Sequence, residues 1–177
     1  MKLPALLLLV LSTTALTLHA QISPIRITVE QVVGKSDSNA KTGQKAQSRS
    51  LKITLNNNSA ESFDGLQVKY WFFGRDMKSH DTKEITAGER KSSLAPRGKE
   101  VIESETASGT YVEQHAQAQR GGGRAGQPGR GGRAGGVTKV QASGDKITGY
   151  AVRVTKDDKV LAEYYSEPSY KALVGKK

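Results

Sequence analysis

Apolar and polar residues alternate over short stretches of this chain, and no long stretch repeats apolar residues at helical spacing. Ile25, Ile27 and Val29 alternate with Arg26, Thr28 and Glu30, and Leu51, Ile53 and Leu55 with Lys52, Thr54 and Asn56. Extended backbone points successive side chains to opposite faces, so each stretch predicts a strand with one buried face. The richest runs from Leu66 to Phe73: Leu66, Val68, Tyr70 and Phe72 share one face, Gln67, Lys69, Trp71 and Phe73 the other. Weaker alternation predicts strands at 82–86, 91–95, 100–105, 109–112 and 137–142, with Ala87-Gly88-Glu89 as a turn between the first two. Tyr150, Val152 and Val154 share a face within 147–155, and Lys156-Asp157-Asp158-Lys159 turns the chain into 160–165. That pair is the clearest hairpin in the sequence. Asn57-Asn58-Ser59 ends a strand, because short polar side chains compete for backbone hydrogen bonds. Pro168 limits further pairing, and 171–177 reads as a basic tail that frays.

The count is about seven to nine strands, which predicts an all-β fold, an antiparallel two-sheet sandwich. One domain is expected over 21–170, with a polar loop at 34–48 and a loop insertion at 120–136. Leu66-Gln67-Val68-Lys69-Tyr70-Trp71 and Gly149-Tyr150-Ala151-Val152-Arg153-Val154 resemble strands of immunoglobulin-like and fibronectin-type-III-like domains. The chain also resembles exported bacterial β-sandwich proteins. These resemblances imply a sandwich and no particular activity, because the fold hosts many unrelated functions.

The N-terminus changes the picture of where the chain works. Thirteen of its first 20 residues are apolar, Lys2 is the only charge among them, and small residues stand at Ala15 and Ala20. This predicts a signal peptide over 1–20, cleaved after Ala20, with Ala15 as the fallback. The apolar run is too short for a transmembrane anchor. The mature chain is therefore expected to be periplasmic or secreted. Zero cysteines fit export without disulfides and exclude thiolate metal sites and cysteine catalysis.

Lys and Arg number 27 against 17 Asp and Glu, a net charge of +10. Arg120, Arg124, Arg130 and Arg133 lie among nine glycines in the tract 120–136, which contains no acid. So much glycine predicts a disordered segment, and exposed guanidiniums predict salt-sensitive anion binding. Behind a signal peptide the expected partner is an anionic polymer or a protein of the envelope, not intracellular nucleic acid. The tract also lacks the aromatics on which bases would stack. Removing Lys2 and these arginines leaves +5, so the domain itself is only moderately basic. A second candidate is Trp71 with Phe73: exposed, they would form an aromatic platform; otherwise a loop, a strand or lysine stems cover them.

Catalytic patterns fail on context. Gly121 to Gly126 satisfies G-x-G-x-x-G without the flanking strand and helix, and Gly34-Lys35-Ser36 has Val29 where a phosphate loop needs glycine. His80 near Asp76 and Asp81 reads as a solvated turn before it reads as a metal site. Glu103 and Glu105 would share a strand face, but a sandwich this small seldom builds a sugar cleft. The expectation is a non-catalytic binding or structural protein of the cell envelope, without cofactor or metal. An accessory glycan- or anionic-polymer-binding module is the alternative, and a carboxylate-dependent hydrolase stands behind it. The oligomeric state is not legible.

Overall fold

A computed structural model of the chain describes residues 23–39, 42–118 and 137–175. The expected signal peptide and the tract 120–136 lie outside the described residues. In chain order the strands are β1 (Ile25–Val33), β2 (Asp37–Asn39), β3 (Gln44–Asn57), β4 (Phe63–Asp76), β5 (Thr82–Leu94), β6 (Lys99–Glu103), β7 (Ala107–Val112), β8 (His115–Ala118), β9 (Val137–Val140), β10 (Ser143–Lys156) and β11 (Lys159–Tyr165). A 3-10 helix, Pro168–Ala172, follows, and no α-helix occurs among the described residues.

All pairings are antiparallel, and two layers form as expected. In one, β3 pairs with β1 along one edge and with β6 and β7 along the other. In the other, β10 lies between β11 and β4, and β5 pairs with the far side of β4. Tyr111↔Gly144 and Val112↔Ser143 join β7 to β10 and connect the layers. The alternating faces then meet: Leu51, Ile53 and Leu55 of β3 pack in one core with Leu66, Val68, Tyr70 and Phe72 of β4 and Val152 and Val154 of β10. A bulge between Ile147 and Gly149 leaves Thr148 as an extra residue. It lets Ile147 reach the same core as Val152, although their positions differ in parity.

The expected hairpin forms with Lys156↔Lys159 as its last pair. Asp157 and Asp158 both take positive φ, 48° and 62°, the primed turn whose twist matches its strands.

Three expectations are corrected. Residues 34–48 are not a plain loop: β2 pairs with the start of β3, from Asp37↔Ala46 to Asn39↔Gln44. Ala87-Gly88-Glu89 is no turn, because β5 runs unbroken through it. Gly88 is there for packing: a Cβ would sit 2.3 Å from the hydroxyl of Tyr70, directly opposite. Of the tail expected to fray, residues 171–175 are described, and they pack instead. Tyr170 is buried, and Leu173 and Val174 pack beside it against Trp71, Phe73 and Ala151.

Candidate anion-binding arm

The strands β8 and β9 prolong the β7–β10 hairpin in an unchanged register: Tyr111↔Gly144 and Val112↔Ser143 are followed by His115↔Val140 and Ala118↔Val137. The 17-residue tract with its four arginines is thus the connection at the end of a two-stranded ribbon. From Gln114 to Gly144 the sequence holds those arginines and Lys139 and not one Asp or Glu. Arg120, Arg124, Arg130 and Arg133 themselves lie outside the described residues.

The foot of the ribbon is built by side chains from three strands. Tyr111, buried on β7, has Lys45 of β3 and Lys146 of β10 over its ring, their Nζ atoms 6.0 and 5.2 Å from the ring centre. Glu113, the last acid before the ribbon, accepts from Lys45 at 2.7 Å and from Lys146 at 3.4 Å. Hydrogen bonds from Lys45 and Lys146 hold its carboxyl below the ordinary range, and the bond to Glu113 raises Lys45. These groups are about half exposed, so each pair stabilises little. Their consequence is electrostatic: the nearest carboxylate is already engaged by two lysines. His115 fixes the strand entry, with Nδ1 2.9 Å from the Glu113 carbonyl oxygen. Lys45, Glu113 and Lys146 are far apart in sequence, and only strand pairing assembles them.

Trp71 and Phe73 do not form an open platform. Phe73 is 0% exposed beneath Tyr170, whose ring stacks on it at 4.6 Å and 6°. Trp71 is 8% exposed, with the Arg153 guanidinium 5.7 Å from its ring centre and that guanidinium bound to Glu163 at 2.7 Å. What remains open beside Trp71 is a shallow depression lined by Lys69, Ala87, Gly88 and Glu89. That is too little ring surface for a sugar to stack on. The physical reason is the C-terminal segment, which covers this face.

The carboxylate candidates also separate. β6 ends at Glu103, and Glu105 beyond it pairs with Arg90 at 3.0 Å. Asp76 is occupied in its own turn, its Oδ1 accepting from the amides of Lys78 and Ser79 at 2.8 and 2.9 Å. No group of three or more metal-ligating side chains occurs among the described residues.

No family model and no curated protein matches the chain. Two solved structures are similar to parts of it. One is the Northeast Structural Genomics Consortium target SoR45, 12% identical over 68% of this chain and 83% of that one, with a TM-score of 0.33. The other is a protein from Akkermansia muciniphila, 16% identical over 81% of this chain and 70% of that one, with a TM-score of 0.36. At such scores neither likeness bears on function.

Proposed function

We propose that this is an exported, non-catalytic binding protein of the cell envelope, whose cationic arm holds an anionic polymer. The sandwich, of an immunoglobulin-like or fibronectin-type-III-like kind in this reading, serves as the scaffold. One observation carries the proposal: a ribbon in register with the domain's own hairpin ends in a segment with four arginines and no acid. Guanidiniums pair with phosphate, sulfate or carboxylate groups, and a polymer of such groups engages several of them at once. Export rests on the N-terminal pattern, and no helix among the described residues is long and apolar enough to cross a membrane.

The test is retention on immobilised heparin with a salt gradient, comparing the mature chain, the 120–136 deletion and a variant with the four arginines changed to glutamine. Both variants should elute at distinctly lower salt than the parent. Binding of duplex DNA, used as a defined polyanion, should lose salt dependence by a log–log slope of about 3 to 4. Equal retention of all three proteins would overturn the proposal.

A further inference from the structure

An open depression of about 380 Å³ lies on the outer face of the β4–β10 layer, lined by the exposed residues Arg75, His80, Thr82, Thr148 and Glu167 and by the buried Tyr170. The fold builds it from five pieces, one of them the β4–β5 turn that carries His80. Arg75 follows Trp71 and Phe73 at the same parity on β4, and Thr82 is its partner on β5. Thr148 is the extra residue of the β10 bulge. Glu167 and Tyr170 come from the C-terminal segment, whose stack on Phe73 forms a wall. Tyr170 can come this close because position 149 is glycine: a Cβ there would lie 2.3 Å from the tyrosine ring.

The rim is held in place. His80 stands at φ 67°, its amide donating to the Asp76 carbonyl at 2.9 Å. The Tyr170 hydroxyl donates to Thr148 Oγ1 at 3.1 Å, which leaves its own lone pairs free to accept.

The charges are the informative part. Arg75 and Glu167 line one depression from different elements, yet no ion pair joins them, and neither side chain has another partner among the described residues. The neighbouring cation Lys83 is engaged elsewhere, with Asp145 at 2.8 Å and Asp76 at 3.9 Å. A guanidinium suits a carboxylate in bidentate geometry, and a carboxylate suits an ammonium. A simple anion would satisfy Arg75 and be repelled by Glu167, whereas a ligand carrying both charges satisfies both.

We propose that this depression binds a small zwitterion of amino-acid or dipeptide size, its carboxylate on Arg75 and its ammonium on Glu167. The hydroxyls of Thr82, Thr148 and Tyr170 and the His80 ring supply the remaining polar contacts. This site is separate from the arm and independent of its function.

The experiment titrates alanyl-alanine into the mature chain and follows backbone amide chemical shifts. Saturable shifts should appear at Arg75, Thr82, Thr148 and Tyr170, with a Kd on the order of 1 mM. Arg75→Gln and Glu167→Gln should each weaken binding about tenfold, the effect of losing one charged hydrogen bond, while shifts elsewhere stay unchanged. N-acetyl-alanyl-alanine and alanyl-alanine amide, each with one charge, should bind about tenfold more weakly than the parent dipeptide. The 120–136 deletion should bind the dipeptide normally, which keeps this result distinct from the heparin test. Three outcomes would overturn the proposal: no saturable shift, full affinity in both variants, or equal affinity for a singly charged derivative.

Discussion

Asn57 shows how one polar side chain can close a strand. It is 3% exposed at the end of β3, where its Nδ2 donates to the carbonyls of Glu61 and Ala95 at 2.6 and 2.9 Å. Its Oδ1 accepts from the amide and hydroxyl of Ser59 at 2.9 and 2.8 Å. Asn57→Ala removes four hydrogen bonds made by one buried side chain and should cost about 2–3 kcal/mol, read as a lower urea midpoint. Tyr150 gives a pH dependence. Burial, and then its neighbour Tyr164, stacked 6.0 Å away, push its hydroxyl from 10.0 to about 12. The folded state therefore holds this proton more tightly than the unfolded chain. The stability this confers is complete below about pH 10 and lost as pH rises towards 12. Tyr150→Phe should show a shallower fall of melting temperature across that alkaline window than the parent protein.

Among the elements, the C-terminal segment has the largest consequence. Proline starts its 3-10 helix and no side chain caps it, so its position comes from tertiary packing on Phe73 and Ala151. Tyr170→Ala removes the stacked ring and wets the surface beneath it. The expected cost is about 2–4 kcal/mol in urea unfolding, with a red shift in the emission of Trp71, the only tryptophan. Gly149→Ala should act in the same direction by pushing Tyr170 away. Either change should also abolish dipeptide binding, because the segment is a wall of that depression. The ribbon behaves differently. Only β8 and β9 pair within it, and a two-stranded hairpin stabilises a domain little. Deleting 120–136 should leave the urea midpoint nearly unchanged, within about 0.5 kcal/mol.

For the molecule as a whole, the distribution of charge matters more than its sum. Half of the +10 belongs to Lys2 and the four tract arginines, while the two lysines at the ribbon foot share the single carboxylate of Glu113. Polyanion binding should consequently fall steeply with salt, and binding of a neutral zwitterion should not. Measuring both ligands in low and high salt separates the two sites in one protein. If export proceeds as the N-terminal pattern implies, sequencing the mature protein should begin at Gln21.

The alternation of Leu51, Ile53 and Leu55, of Leu66 to Phe72, and of Tyr150 to Val154 was enough to define the strands and the sandwich, because period two has one geometric meaning. The Asp157-Asp158 turn was legible for the same reason: its chemistry is local. The tract's charge was legible too, being a property of composition. Gly88 misled because glycine serves both turns and close packing, and only Tyr70 across the strand pair decides between them. The second face of β4 was ambiguous until the C-terminal segment covered Phe73. The depression had no signature in the chain, since Arg75, Thr148 and Glu167 are brought together by a bulge, a strand register and a packed terminus. Local periodicity and charge are written along the sequence; which surfaces are covered, and which distant charges face one depression, is decided by packing alone.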